Sequence, residues 1–199
     1  MEERIDQYLK NTIAALNLLD RNEINSALLL LRDTLNLSGK TYIAGNGGNF
    51  ANALHYGVDW GKGLQQLIGK NLNPVVLGEN ISTFSAFSND DSFENVYVNL
   101  LKLQNFQTDK DVLVILSAGG SSTNMIKLAN YANSSKLKSI ALCGFDNKHL
   151  KPYVDSIVFS PVSDMQLVED AHAIFCHLVM RVLSSEIKLE KDLCFNFNL

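Results

Sequence analysis

Four ionisable side chains stand out by type and spacing. His55 and Asp59 are four residues apart, which places them on one face of a helix. Glu169 and His177 are eight apart, a little over two turns, and lie roughly on one face of another helix. The second pair, with Asp170 and His172, sits among Leu167, Val168, Ala171, Ile174, Phe175, Leu178 and Val179. Ionisable groups on a greasy helix cost free energy unless they are paired or used. Two imidazoles and two carboxylates could hold zinc in tetrahedral geometry. The same four could equally serve as an acid/base set. A histidine hydrogen-bonded in the core is the plainer alternative for any one of them, and spacing alone does not bring the two helices together.

Two loops could bind an anion. Tyr42-Ile43-Ala44 reads as a strand covered on both faces, followed by Gly45-Asn46-Gly47-Gly48-Asn49 and a helix that carries His55. The glycines let a ligand approach the backbone, and the N–H groups that open the helix favour a phosphate-like group. A tight strand-to-helix turn explains the same residues without a ligand. The logic then repeats: Asp111–Leu116 is a buried strand, Ser117-Ala118-Gly119-Gly120-Ser121-Ser122-Thr123 follows, and a helix runs over about 122–134. Its hydroxyls could be ordinary caps. In an open parallel sheet two such loops can meet at the carboxyl ends of the strands, where ligands bind.

The elements that must position these residues follow from hydrophobic periodicity. Residues 3–37 read as two helices with a break near Asp20-Arg21-Asn22, and Ala27–Leu31 is apolar on more than one face, which suggests a subunit interface. Strand one spans about 40–44, and a helix spans 49–61, ended by Gly61-Lys62-Gly63. Residues 64–73 read as an irregular loop, Pro74–Leu77 as a strand, Ser82–Phe87 and Ser92–Gln104 as helices, with Asn89-Asp90-Asp91 a turn between them. Further strands are expected at Ser139–Cys143 and Ser156–Phe159, a long helix at 165–187 and a mixed tail at 188–199. His149 falls in a polar turn. Alternating strands and helices predict a doubly wound parallel α/β sheet of five strands, in one domain.

Composition narrows the partners. At 46% hydrophobic and 19% charged, the 199-residue chain is globular. Its net charge of −4 and lack of a basic run argue against nucleic acid. No apolar run approaches the roughly 18 residues that span a bilayer. Cys143, Cys176 and Cys194 have no metal-type spacing and cannot all pair, which suggests a reducing compartment. Met1-Glu2-Glu3-Arg4 has no signal-peptide pattern, so a cytoplasmic protein is expected.

Taken together, Gly45-Asn46-Gly47-Gly48, His55 on the next helix, the serine-rich loop and the run Glu169–His177 resemble the sugar isomerase (SIS) domain. Within it the resemblance is to the phosphoheptose isomerases of bacterial lipopolysaccharide heptose synthesis. It covers nearly the whole chain as one SIS domain: a helical pair at 1–37, an α/β core at 38–187 and the tail. It implies an enzyme that interconverts sedoheptulose 7-phosphate and D-glycero-D-manno-heptose 7-phosphate, as a homotetramer with sites between subunits, with zinc as cofactor. It implies His55, Asp59, Glu169 and His177 as metal ligands, with Asp59, Glu169 and His177 catalytic. It implies Asn46, Gly47, Gly48, Asn49, Asp90, Ser117, Ala118, Gly119 and Ser122 as substrate- or phosphate-binding.

The chain also departs from the family. Asn49 stands where a serine is usual, Ala118-Gly119 replaces two hydroxyl-bearing residues, Asp59 replaces a glutamate, and Glu169 replaces a glutamine. An expected basic residue is missing near Gly61-Lys62-Gly63, where Lys62 is the available substitute. A second expectation therefore stands beside the enzyme: a non-catalytic SIS protein that binds a phosphosugar or a partner, as DnaA-binding relatives do.

Overall fold

The computed structural model describes residues 1–188; the tail expected at 188–199, apart from the backbone of its first residue, lies outside the described residues, and Cys194 with it. Helices α1 (Glu2–Asn17) and α2 (Arg21–Asn36) precede β1 (Thr41–Gly45) and α3 (Gly48–Val58). A π-helical turn (Asp59–Gly63) leads into α4 (Leu64–Ile68), followed by β2 (Pro74–Val76), α5 (Ile81–Asp90) and α6 (Val96–Lys102). Then come β3 (Val112–Ser117), α7 (Thr123–Ser134), β4 (Lys138–Gly144), a 3-10 turn (Lys151–Tyr153), β5 (Ser156–Ser160) and α8 (Met165–Lys188).

All strand pairs are parallel, in the order β2-β1-β3-β4-β5. This is the expected doubly wound sheet. The order reverses between β1 and β3, and Gly45 is paired with Leu116, so the two loops leave the sheet side by side. Such a switch point opens a crevice at the carboxyl ends of the strands.

Period-two alternation divides the strands between two cores. Ile43, Val114, Leu116, Ile140 and Leu142 face α2, α3 and α8, while Tyr42, Ala44, Leu113, Ile115 and Ala141 face α6 and α7. Gly120 belongs to a close approach between loops: its φ is +66°, and a Cβ there would stand 2.0 Å from the Asp146 carbonyl oxygen. Only glycine serves such a position.

The site depends on how α3 packs against α8. Tyr56 and Trp60, four residues apart and fully buried, lie with ring centroids 4.5 Å from each other. The Tyr56 hydroxyl donates to the His172 carbonyl at 2.5 Å, and the Trp60 indole N–H donates to the Cys176 carbonyl at 3.1 Å. His172 and Cys176 are also four apart, so the two helices meet one turn per contact. The His172 ring is buried as well, with Nδ1 2.6 Å from Asn49 Oδ1. An amide oxygen only accepts, so Nδ1 carries the proton. This is the core histidine foreseen as the plainer alternative.

Several element boundaries are corrected. The helix expected to end at Gly61-Lys62-Gly63 continues through the π turn into α4, inside the stretch expected to be a loop. Trp60 and Leu64 are both fully buried and carry it onward. The glycines are packing positions: a Cβ would come 3.2 Å from the Pro74 ring at Gly61 and 2.9 Å from Met180 Sδ at Gly63. Helix α5 is longer than expected, capped by Asn80 accepting from the Thr83 N–H at 3.2 Å, so Asn89-Asp90 closes a helix instead of forming a turn. Helix α6 is correspondingly shorter, with Asp91 bound to Asn95 and Asn99 ahead of and within it. In α2, Ala27 and Leu31 are fully buried within the domain, whereas α1 exposes Ile5, Leu9 and Ile13 on successive turns.

Two stability measurements test this packing. Trp60→Ala is expected to cost about 3–5 kcal/mol, read from urea unfolding by far-ultraviolet circular dichroism, since the substitution removes the single tryptophan. Burial pushes the His172 imidazolium down to about 3. Below about pH 6.5 the unfolded chain takes up a proton that the native chain refuses, so stability falls as pH drops from there toward 3, by up to about 1.4 kcal/mol per pH unit. His172→Gln is expected to remove that component from the pH dependence of urea unfolding.

Candidate active site

On the solvent side of the α3–α8 seam, the residues next to Tyr56, Trp60 and Cys176 converge. His55 Nε2 and His177 Nε2 are 2.9 Å apart. Asp59 Oδ2 lies 3.4 Å from His55 Nε2 and 3.6 Å from His177 Nε2. Among the described residues these three form a group with ligand atoms all within 4.8 Å. Zinc–nitrogen bonds of about 2.0–2.1 Å in tetrahedral geometry put neighbouring ligand atoms about 3.3 Å apart. The observed separations bracket that value, so the donor set fits a zinc ion with room for a further ligand. The side chains are 49% (His55), 21% (Asp59) and 55% (His177) exposed, so the group stands open to solvent. The turn that begins at Asp59 is the π turn, a form frequent at functional sites.

A separate cleft of about 260 Å³ lies between the two loops, lined by Asn46, Gly47, Gly48 and Asn49 on one side and Ser117, Ala118, Gly119 and Ser122 on the other. All eight loop positions expected at the substrate therefore share one cavity. Asn46 and Asn124 bind each other reciprocally: Asn46 Nδ2 donates to Asn124 Oδ1 at 2.9 Å and Asn124 Nδ2 donates back to Asn46 Oδ1 at 3.0 Å. This amide pair ties the first loop to the start of α7. Ser117 Oγ is buried without a hydrogen-bond partner.

Glu169 belongs to this cleft and is not grouped with His55, Asp59 and His177. Its Oε1 accepts from Asn49 Nδ2 at 3.1 Å, and Asn52 Nδ2 donates to its backbone carbonyl at 3.1 Å. Asp90 ends α5, exposed and accepting from Asn89 at 3.0 Å, and lines neither this cleft nor its neighbour. Lys62 lies on the π turn and is likewise absent from both linings.

Sequence reasoning missed Asn124, and gave His172 and Asn52 no part in the site. Asn124 is the second residue of α7, where an amide reads as an ordinary cap-region residue. Also missed was an apolar cleft of about 270 Å³ that shares Asn46 and Gly47 and is walled by Phe50, Phe84, Phe93 and Tyr97. Its aromatic residues come from α3, α5, the turn before α6 and α6, and each looks in sequence like a routine apolar position.

Comparison with known proteins agrees with this architecture. The phosphoheptose isomerase of Helicobacter pylori (strain ATCC 700392 / 26695) is 29% identical over 156 residues, covering 78% of this chain and 80% of that protein. The phosphoheptose isomerase of Clostridium acetobutylicum is 26% identical over 196 residues, covering 96% and 98%. The solved structure of phosphoheptose isomerase GmhA from Neisseria gonorrhoeae has the same fold, with a TM-score of 0.82 at 24% identity, over 92% of this chain and 98% of that one. The SIS-domain signature itself matches residues 6–144, which takes in β1, β3 and both loops, and the chain therefore belongs to the SIS domain family.

Proposed function

We propose that the protein is an aldose–ketose isomerase of a phosphorylated sugar, with sedoheptulose 7-phosphate converted to D-glycero-D-manno-heptose 7-phosphate as the reaction to test first. The observation that carries this reading is the meeting of His55, Asp59 and His177, with one helix, α3, opening at the loop cleft and carrying His55 about two turns on. The relatives named phosphoheptose isomerase supply the choice of sugar.

Isomerisation moves a proton between adjacent carbons through an enediol. Asp59 is the base that takes the proton from the carbon next to the carbonyl, and His177 returns a proton across the enediol through the ring nitrogen that would not face the ion. Seating the sugar by its phosphate holds the reacting carbons within reach of these groups, and misplacement by about 1 Å can cost roughly a hundredfold. Aspartate is one methylene shorter than glutamate, so the substrate must sit closer to α3. His55, Asp59 and His177 would hold zinc, with Glu169 the fourth ligand that the family resemblance suggests. When bound, the ion supplies Lewis-acid polarisation of the substrate carbonyl.

A homotetramer is part of this reading. Ile5, Leu9 and Ile13 on α1 and Leu54 and Val58 on α3 are exposed in the single chain. Leu54 and Val58 each precede a member of the triad, so covering them would also close the half-exposed site. The second reading, a phosphosugar-binding protein without catalysis, is favoured by Asn49, whose amide is committed to His172 and Glu169.

The metal-analysed protein, mixed with sedoheptulose 7-phosphate in deuterated water, is expected to exchange the proton next to the carbonyl and to form the aldose. Asp59→Asn is expected to lower kcat by about 100-fold or more, and His55→Ala to lower bound zinc. Binding of sugar phosphates without any exchange by the zinc-loaded protein would favour the second reading. Sedimentation is expected to give a tetramer, and charged replacements at Ile5 and Leu9 to shift it to smaller species.

A further inference from the structure

Three side chains spaced four apart along α3 each donate a hydrogen bond to a backbone carbonyl of α8: Asn52 to Glu169 at 3.1 Å, Tyr56 to His172 at 2.5 Å and Trp60 to Cys176 at 3.1 Å. The backbone under Glu169 and His172 is therefore fixed against α3. A second set of bonds joins the side chains of those two residues. Glu169 Oε1 accepts from Asn49 Nδ2 at 3.1 Å, and Asn49 Oδ1 lies 2.6 Å from His172 Nδ1. The roles are forced from one end. An ionised carboxylate only accepts, so the amide turns its nitrogen toward Glu169 and its oxygen toward the imidazole, and Nδ1 must donate. His172 is 2% exposed, and its other nitrogen, Nε2, is buried without a partner. An apolar side chain would bury there at less cost, so the imidazole's contribution is the one bond it makes to Asn49. Gly48 leaves room for the carboxylate: a Cβ there would stand 2.4 and 2.7 Å from Oε2 and Oε1.

We infer that His172 and Asn49 are positioning residues that aim the Glu169 carboxylate: His172 orients the Asn49 amide, the amide holds Oε1, and Oε2 is the oxygen that Glu169 offers to the metal ion. The inference rests on the reading of Glu169 as the fourth zinc ligand, and adds which of its atoms serves and what sets it. The terminal torsion of a glutamate is broad and roughly two-fold, so a free carboxylate presents either oxygen. Held at Oε1 by a donor that cannot turn, it presents one. Partners one bond behind a metal ligand fix its orientation in this way, and their loss costs about 10- to 100-fold in metal affinity. The commitment of the Asn49 amide to two fixed bonds then serves metal binding.

The test is calorimetric titration of zinc into the metal-free full chain and into Glu169→Ala, Asn49→Ala, His172→Leu and His172→Asn, with urea unfolding of each form without metal. Asparagine at 172 keeps an N–H donor close to where Nδ1 stood; leucine does not. Asn49→Ala and His172→Leu are each expected to weaken zinc binding about tenfold. Together they are expected to weaken it no more than Asn49→Ala alone, because both act along one chain of bonds, and His172→Asn is expected to recover most of the affinity. A merely structural role would lower the unfolding midpoint and leave the zinc affinity of the folded protein where it was. Unchanged zinc affinity in Asn49→Ala, additive losses in the double variant, or no recovery in His172→Asn overturns the inference. If Glu169→Ala binds zinc as the unaltered chain does, the inference falls, while the isomerase reading is judged separately by proton exchange on sedoheptulose 7-phosphate. If the unaltered chain neither binds zinc nor exchanges, both fall. A zinc-soaked crystal of the unaltered chain needs no variant: the ion on Oε2 with Asn49 on Oε1 supports the inference, and an ion on Oε1, or on neither oxygen, overturns it.

Discussion

The hydrogen bonds from Tyr56 and Trp60 to the carbonyls of His172 and Cys176 set the register of the whole site. Both donors are aromatic side chains buried to the last atom, so sliding α3 along α8 would strand an indole N–H and a phenol in an apolar core. An orphaned buried donor costs about 1–3 kcal/mol, and the lost packing adds to it. Because the contacts recur every four residues, the rows beside them are fixed too. His55 and Asp59 stand one residue before the donors, His177 one residue after the second acceptor, and their convergence is a by-product of the buried row.

That row explains what could and could not be read from the sequence. The strands, the sheet class and both loops are legible in local patterns, since a run such as Val112–Leu116 admits few other readings. The four ionisable residues are legible as candidates because charge on a greasy helix is costly. Their partition is not legible. Glu169 and His177 share a face of α8, yet two turns of separation let one meet the start of α3 at the loop cleft and the other meet its last turn. Only the angle between two helices decides this, and no spacing rule contains it. Gly61 and Gly63 misled for a related reason: glycine as a helix stop and glycine as a close-packing residue look alike until Pro74 and Met180 are in place.

Charge in the cleft is the main respect in which this chain differs from the general idea of a phosphate-binding turn. A helix N-terminus attracts whichever anion is nearest, and here the nearest is supplied by the chain itself. Asn49, buried and bonded on both sides, is the link that makes this possible: its oxygen meets the imidazole and its nitrogen meets the carboxylate. A serine hydroxyl is too short to span the same gap with two fixed bonds.

The reciprocal amide pair of Asn46 and Asn124 carries a kinetic consequence. Each bond holds the other partner's orientation, so the first loop and the head of α7 move as one body. A ligand entering between them finds its walls already set. Little ordering entropy is left to spend on capture, and arrival becomes a single diffusive encounter rather than an encounter followed by loop closure. Differences in affinity among ligands of the cleft are then written almost entirely in their residence times.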